Sequence, residues 1–218
     1  MNCHETRFPD VSYMHVFLET QRLILRRFTE ADIDNLVELD GDPAVLRYIN
    51  GGMPTPREMI EREILPRFLE YYDRFAEYGY WAAIERSSGT FLGWFCLHPE
   101  EGRSEDVLSL GYRLRQAAWG KGYGTEGARA LVDKGFSELG VQRVVAMTYE
   151  HNIASRRVME KVGMKLVRKY RSTPEELAAA GTFVPTPDVV WEGEDVEYAL
   201  NRAEWQEHHA AESDQVTG

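Results

Sequence analysis

Short runs of alternating apolar and polar residues divide the chain into predicted β-strands. The run Val107-Leu-Ser-Leu-Gly-Tyr-Arg-Leu114 alternates, whereas Arg143-Val-Val-Ala-Met-Thr-Tyr149 is almost continuously apolar, as is typical of a strand covered on both faces. The other predicted strands lie at 22–27, 80–86, 91–97, 164–170 and 195–200, with 80–86 and 91–97 joined as a hairpin.

Apolar residues at helical spacing predict helices between these strands. Two start signals are clear, since Thr29 is a preferred N-cap residue and Pro43 suits a first helical position. The predicted helices are one opened by Thr29, one opened by Pro43, one over 57–78 that is kinked or interrupted at Pro66, one carrying Ala128 to Leu139, one over 152–162, a short one at 174–180 and one at 202–207.

This order of elements predicts one mixed α/β domain over residues 18–207. A strand, a crossover helix and a second strand between residues 107 and 149 imply a parallel pair. Residues 1–17 have no clear period and are predicted to be an N-terminal extension, and residues 208–218 a disordered tail. The irregular stretch 172–193 is long for a simple connection, and such loops are often functional.

The composition argues against several classes of function. The formal charge of -11 and the pI of about 5.1 disfavour a nucleic-acid-binding protein. Two cysteines, Cys3 and Cys96, do not make a disulfide framework, and no signal peptide is visible, so we expect a cytoplasmic protein. No uninterrupted apolar stretch approaches the roughly 18 residues of a membrane span, so no membrane partner is expected.

A glycine-rich loop carries the clearest chemical signal. Glycines at 120, 122, 124 and 127 lie between the strand ending at Leu114 and an amphipathic helix. A strand, a loop and a helix start expose unpaired backbone N–H groups at the positive end of the helix dipole. Such a site suits a phosphate or a diphosphate, and glycine lets the ligand approach the backbone.

The same glycines also match a dinucleotide-binding pattern. Gly122-Tyr-Gly124-Thr-Glu-Gly127 fits G-x-G-x-x-G, and Glu150 ends a strand roughly 20 residues later, as that pattern expects. However, seven residues separate Leu114 from Gly122, whereas the dinucleotide glycine opens directly off its strand, and few further βαβ units could follow. An NAD(P)-dependent oxidoreductase is therefore the alternative.

Two motifs about thirty residues apart resemble those of the GNAT superfamily of N-acetyltransferases. They are Trp119-Gly-Lys-Gly-Tyr-Gly124 and Asn152-Ile-Ala-Ser155-Arg-Arg-Val-Met-Glu-Lys161-Val-Gly163. Within that superfamily the chain is most similar to the ribosomal-protein N-terminal acetyltransferases, over roughly residues 18–205. The resemblance implies a central twisted, mostly antiparallel sheet with one splayed parallel strand pair and helices on both faces.

By the same resemblance, acetyl-CoA is the cosubstrate. Backbone N–H groups of residues 120–125 would hold its diphosphate, the pantetheine arm would pair along the end of the strand, and Asn152 would hydrogen-bond that arm. Basic residues exceed acidic ones by seven to one over 152–171, and Lys121, Arg156, Arg157 and Lys161 are candidate phosphate contacts. The predicted cofactor-binding residues are Leu114, Arg115, Trp119, Gly120, Lys121, Gly122, Tyr123, Gly124, Thr125, Asn152 and Arg157.

The residues that would do the chemistry are less clear. Family members often use a glutamate at the place of Ser109 or Met147, and a tyrosine acid at the place of Met159. The remaining candidates are Ser155, which could protonate the CoA thiolate, and Glu150 and Tyr149, which end the central strand and could reach the amine. His98 has a suitable unperturbed pKa for a base, but a structural role is the simpler expectation.

We therefore expect acetyl transfer to a primary amine, by direct attack in a ternary complex and without a metal. No covalent intermediate is implied, because neither cysteine has a recognisable histidine partner. The acceptor would be a protein N-terminus, a small amine or an amino-bearing antibiotic, selected by the helices over 30–78 and the loop over 172–193. The protein would be a monomer or a homodimer. The non-enzyme alternative is an acyl-CoA-binding sensor that lacks catalysis.

Overall fold

The computed structural model describes residues 15–99, 104, 106–171 and 193–216, with side chains as far as residue 210. Eight strands form one sheet. Their bounds are β1 Val16–Glu19, β2 Leu23–Arg27, β3 Gly79–Glu85, β4 Phe91–Pro99, β5 Val107–Leu114, β6 Arg143–Tyr149, β7 Lys165–Tyr170 and β8 Asp195–Asn201.

The helices lie mostly between β2 and β3 and after β5. Their bounds are α1 Ile33–Asp40, α2 Pro43–Asn50, α3 Arg57–Met59, α4 Leu65–Arg74, α5 Tyr123–Ser137, α6 Ile153–Val162 and α7 Arg202–Val216. A π-helical segment, Ile60–Ile64, joins α3 to α4, and short 3₁₀ turns precede α1 and α5.

The sheet is antiparallel except at its centre. Its strand order is β1-β2-β3-β4-β5-β6-β8-β7, and β5 and β6 are the parallel pair. These two strands share three residue pairs, the last being Ser109 with Val145, although β5 continues to Leu114 and β6 to Tyr149. The strands therefore diverge beyond Ser109, and the divergence opens a gap at their carboxyl ends.

The core consists of one apolar cluster on each face of the sheet. Neighbouring residues of β4 alternate between them, since Phe95 packs with Phe136 of α5 and Trp94 packs with Phe68 of α4. Burying one such aromatic side chain stabilises the fold by about 1.5–3 kcal/mol. The predicted fold class, a mixed α/β sheet with helices on both faces, is confirmed.

Several predicted boundaries were wrong for physical reasons. A strand, Val16–Glu19, lies partly within the predicted extension, because it pairs with β2 and stacks Phe17 on Trp81 at 4.1 Å. The helical segment after residue 56 ends at Arg74 rather than 78. The π-helical segment interrupts it two residues before Pro66, close to the predicted interruption, and proline cannot donate a backbone hydrogen bond within a continuous helical run.

The C-terminal helix also differs from its prediction. The sequence predicted a helix at 202–207 followed by a disordered tail, but α7 extends from Arg202 to Val216. Within it Trp205 donates a hydrogen bond to Asp133 of α5 at 2.7 Å, which holds the helix against the core. The short helix predicted at 174–180 lies outside the described residues.

Candidate active site

The glycine loop connects the end of β5 to the start of α5. After Leu114 the chain makes a 3₁₀ turn over Gln116–Ala118 and then enters residues 119–122. Gly120 has φ 70° and Gly122, the N-cap of α5, has φ 85°. This left-handed region is costly for residues with a Cβ, so the path of the loop requires glycine at both positions.

The backbone of this loop presents a row of free donors. Among the described residues, none accepts a well-aligned hydrogen bond from the backbone N–H groups of residues 120–125. These six groups surround the N-terminus of a 15-residue helix, where the helix dipole adds positive potential. The loop predicted from the glycine spacing therefore has the donors that an anionic ligand requires.

The side chains of the loop point in different directions. Trp119 is 48% exposed, and its indole N–H donates to the Leu114 carbonyl at 2.7 Å. Lys121 is exposed, while Tyr123 is buried and its hydroxyl donates to Glu85. Thus the end of β5, where pantetheine was expected to pair, is currently in contact with the indole.

Arg115, a predicted cofactor-binding residue, makes several contacts within the protein, although its buried Nε has no hydrogen-bond partner among the described residues. Its N–H donates to the Leu92 carbonyl at 2.8 Å, and its own carbonyl accepts from Ala118 at 2.9 Å. Its guanidinium contacts Glu38 at 2.9 Å and Asn35 at 3.3 Å. Arg115 therefore ties the loop to α1, and its cofactor role stays a prediction with little support from geometry.

Asn152 and the basic residues of α6 lie at the other side of the gap. The Asn152 side chain caps α6, accepting from the Ser155 N–H at 3.2 Å and donating to Thr148 at 3.1 Å. Arg156 donates to the Tyr198 hydroxyl and to the Glu150 carbonyl, both at 3.0 Å. Arg157 is exposed at the helix surface and remains a candidate phosphate contact.

Ser155 has a partner that the sequence did not indicate. The Tyr112 hydroxyl lies 3.0 Å from the Ser155 hydroxyl and 3.0 Å from the Ser155 carbonyl. Because the carbonyl can only accept, Tyr112 donates to it and the Ser155 hydroxyl donates to Tyr112. Burial raises the pKa of Tyr112 to about 12, although its hydrogen bond with Ser155 acts in the opposite direction.

Tyr112 belongs to β5 beyond its last pair with β6, so this contact crosses the gap between the diverging strands. The signal that could have found it is the alternation of β5. Leu108, Leu110 and Tyr112 share the face that packs against α5 and α6. Only the fold, however, brings that face against Ser155.

Glu150 and Tyr149 are less suited to act as bases. A backbone hydrogen bond from Glu194 and the Lys169 ammonium lower the pKa of Glu150, which weakens it as a base. Tyr149 is buried, with its ring 6.1 Å from that of Tyr48 and edge-on to His151. Both catalytic assignments stay predictions.

His98 lies at the point where the strands begin to diverge. It pairs in register with Ser109, the last residue of β5 that pairs with β6. Its Nε2 lies 3.3 Å from the Tyr80 hydroxyl and its Nδ1 lies 2.9 Å from the Pro99 carbonyl. These contacts are those of a histidine held within the structure.

Within the described residues, no three His, Cys, Asp or Glu side chains cluster closely enough to hold a metal ion. None of the helices in the same part of the chain is long and apolar enough to cross a membrane.

Known proteins share these features. The family model of the acetyltransferase (GNAT) domain matches residues 22–165. An FsC-acetyl coenzyme A-N(2)-transacetylase of Aspergillus fumigatus is 31% identical over 195 residues, covering 86% of this chain and 77% of that protein. A GNAT-family acetyltransferase from Bacillus anthracis superposes with a TM-score of 0.67 at 23% identity, over 86% of this chain and 99% of that one. Spermidine N-acetyltransferase from Vibrio cholerae, in complex with CoA and spermine, gives 0.66 at 11%, with 86% and 99% covered.

A glycine loop at a helix start, placed beside a splayed parallel strand pair, defines a CoA-dependent acyltransferase. The chain belongs to the GNAT acetyltransferase family, and it is an N-acetyltransferase that uses acetyl-CoA and an amine acceptor. The alternative of an NAD(P)-dependent oxidoreductase is wrong, because that fold needs several parallel βαβ units and the described sheet has one parallel pair.

Proposed function

We propose that the protein transfers the acetyl group to a primary amine by direct attack within a ternary complex. The main support for this proposal is the row of six free N–H groups at residues 120–125, beside the gap between β5 and β6. The N–H groups suit the diphosphate of acetyl-CoA, and the gap suits an extended pantetheine arm. Leu114 at the edge of this gap would supply a carbonyl to the arm in place of the Trp119 indole, which donates to that carbonyl at 2.7 Å.

Two hydroxyl groups would complete the reaction. Attack of the amine nitrogen on the thioester carbon forms the amide and expels the CoA thiolate, which needs a proton. Ser155 would donate that proton, directly or through a water molecule, once its O–H turns away from the Tyr112 oxygen, and solvent would return a proton to Ser155 afterwards. Before that turn, the 3.0 Å contact with Tyr112 would hold the Ser155 hydroxyl in place. The proton lost by the amine would leave through a weak or water-relayed base.

The weak base favours an acceptor that is already partly neutral. An unperturbed α-amine has a pKa near 7.7–8.0, so roughly a tenth of it is neutral at pH 7, against a few parts in ten thousand of a lysine. One structurally similar protein is named a spermidine N-acetyltransferase and contains spermine, and both of these compounds are small amines. We propose a small primary amine or a protein N-terminus, as in the ribosomal-protein branch.

Calorimetry and a thiol-release assay test this function. We expect acetyl-CoA and CoA to bind, NAD not to bind, and CoA to be released only when an amine from a panel is present. Binding without turnover across α-amines, polyamines and peptides would favour the acyl-CoA sensor. A burst of CoA release without any acceptor would contradict direct transfer. If calorimetry detected no binding of CoA, the whole proposal would be wrong.

Cellular location and assembly form the last part of the proposal. We propose a cytoplasmic enzyme, on the basis of its buried free thiol at Cys96 and its acidic composition. A monomer or a homodimer remains the expected state, and light scattering of the purified protein distinguishes the two.

A further inference from the structure

The geometry points to Arg22 as a positioning residue for the diphosphate-binding loop, acting through the Lys121 carbonyl and through Glu126. This inference rests on the proposed binding of acetyl-CoA at residues 120–125. Arg22 lies just before β2, about a hundred residues away from the loop in sequence. The glycine and α6 motifs do not include it.

Arg22 holds one peptide unit of the loop in place. Its Nη1 donates to the Lys121 carbonyl at 2.9 Å, and its guanidinium lies 4.5 Å from the centre of the Tyr123 ring. In a planar trans peptide the carbonyl and the following N–H point in opposite directions. Because Arg22 fixes the Lys121 carbonyl on its own side, the Gly122 N–H is turned to the opposite side, where an anion can reach it.

Arg22 also neutralises an acid that would repel the ligand. Glu126 lies in the first turn of α5, and its carboxylate contacts Arg22 Nη2 and Nε at 2.6 Å each. Burial raises the pKa of Glu126, but hydrogen bonds from the Thr20 hydroxyl and from Arg22 outweigh burial and lower it, so the carboxylate is ionised. An unpaired carboxylate here would oppose a diphosphate through like-charge repulsion.

Arg22 is not a core residue, so its loss should leave the fold intact. Its side chain is 42% exposed, and the salt bridge with Glu126 is partly open to solvent. Ion pairs of this kind contribute little to stability. The contacts of Arg22 are instead concentrated on the peptide unit, the aromatic ring and the acid that border the free N–H groups.

The test compares two acetyl donors in the variant Arg22→Gln. Acetyl-CoA carries the diphosphate, whereas S-acetyl-pantetheine has the same thioester and arm without it. We expect kcat/KM for acetyl-CoA to fall about 10- to 100-fold, mainly through KM, because one charged hydrogen bond is lost. For S-acetyl-pantetheine we expect kcat/KM within twofold of wild type.

Arg86→Gln is the matched control. Arg86 is also an exposed arginine paired with an acid, Glu19, and it contacts the Thr20 carbonyl, but it has no contact with the glycine loop. This variant removes the same charge nearby and should keep the wild-type kinetics with both donors. Arg22→Lys, which restores the charge without the planar guanidinium, should recover part of the acetyl-CoA activity.

Each outcome of the test is decisive. Equal losses with both donors would indicate general damage to the site and would overturn the inference, as would unchanged CoA affinity in Arg22→Gln. If Arg86→Gln lost as much kcat/KM for acetyl-CoA as Arg22→Gln, the effect would arise from net charge alone, and the inference would also be overturned. Failure of the wild type to bind CoA would instead refute the proposed function itself.

Discussion

The Tyr112 hydroxyl and the Ser155 hydroxyl lie 3.0 Å apart, across the gap between β5 and α6. Tyr112 donates its own proton to the Ser155 carbonyl, so the serine proton points at the tyrosine oxygen. In the proposed reaction the Ser155 O–H turns from Tyr112 to the thiolate, so the proton donor is not at the tyrosine position that is usual in the family, where this chain has Met159.

Removing either hydroxyl should slow the reaction to different extents. Ser155→Ala should lower kcat about 100-fold, because a general acid typically contributes 10²- to 10⁴-fold. Tyr112→Phe should lower it about tenfold, because Tyr112 only orients Ser155, and the double variant should resemble Ser155→Ala alone. Steady-state kinetics with saturating acetyl-CoA measure both effects. Wild-type kcat in Ser155→Ala would contradict the role of this pair.

Gly122→Ala should weaken CoA binding more than it weakens the fold. At φ 85° an alanine costs about 1–2 kcal/mol, and its Cβ would lie 3.3 Å from Nη2 of Arg22, the side chain that holds the loop in place. Gly140→Ala is the control, since Gly140 has φ 73° with open space around it but lies far along the chain, after α5. Both variants should lose similar unfolding free energy in urea, yet calorimetry should show reduced CoA affinity in Gly122→Ala alone.

Gly127→Ala should destabilise the protein without any direct effect on the ligand. A Cβ at Gly127 would overlap the Phe95 ring, so the third glycine of the G-x-G-x-x-G pattern serves helix–sheet packing. Overpacking of this kind costs about 1–3 kcal/mol. The smaller side chain of Phe95→Leu, added as a second substitution, should recover part of this loss in thermal unfolding. Additive losses in the double variant would contradict the overlap.

The buried thiol of Cys96 predicts a loss of stability at alkaline pH. Burial raises the pKa of Cys96 to about 12 from its ordinary value of 9.0. The unfolded chain therefore releases this proton first, and the unfolding free energy falls as pH rises between about 9 and 12. Urea titrations from pH 7 to pH 11 should give a shallower fall for Cys96→Ala than for wild type. Parallel curves would show that the thiol does not contribute.

The local sequence pattern was sufficient to predict those elements whose structure depends mainly on their own residues. The strand at 107–114 follows from alternation and the strand at 143–149 from its almost continuous apolar run. The glycine loop follows from the need for positive φ at Gly120 and Gly122. The strand at Val16–Glu19 was missed because its four residues have too little pattern, and it forms only through pairing with β2.

Contacts between distant elements could not be predicted in the same way. Arg115 was expected at the cofactor, but its side chain is directed to Glu38 of α1, and nothing in the sequence near Arg115 specifies that acid. The pairing of Arg22 with Glu126, and that of Tyr112 with Ser155, likewise depend on which faces the fold brings together. The sequence indicated the kind of ligand, and the fold determines which side chains surround it.

The divergence of β5 and β6 has a mechanical consequence for the whole sheet. The sheet has two halves, β1–β5 and the three strands β6, β8 and β7. Among the described residues, the three residue pairs between β5 and β6 are the only strand pairing that joins these halves. A bound pantetheine arm would lie between the diverging strands, extend their short connection and hold the two halves of the sheet together. Occupancy by the cosubstrate should therefore slow amide hydrogen exchange in β6 as well as in β5, so that binding and rigidity rise together.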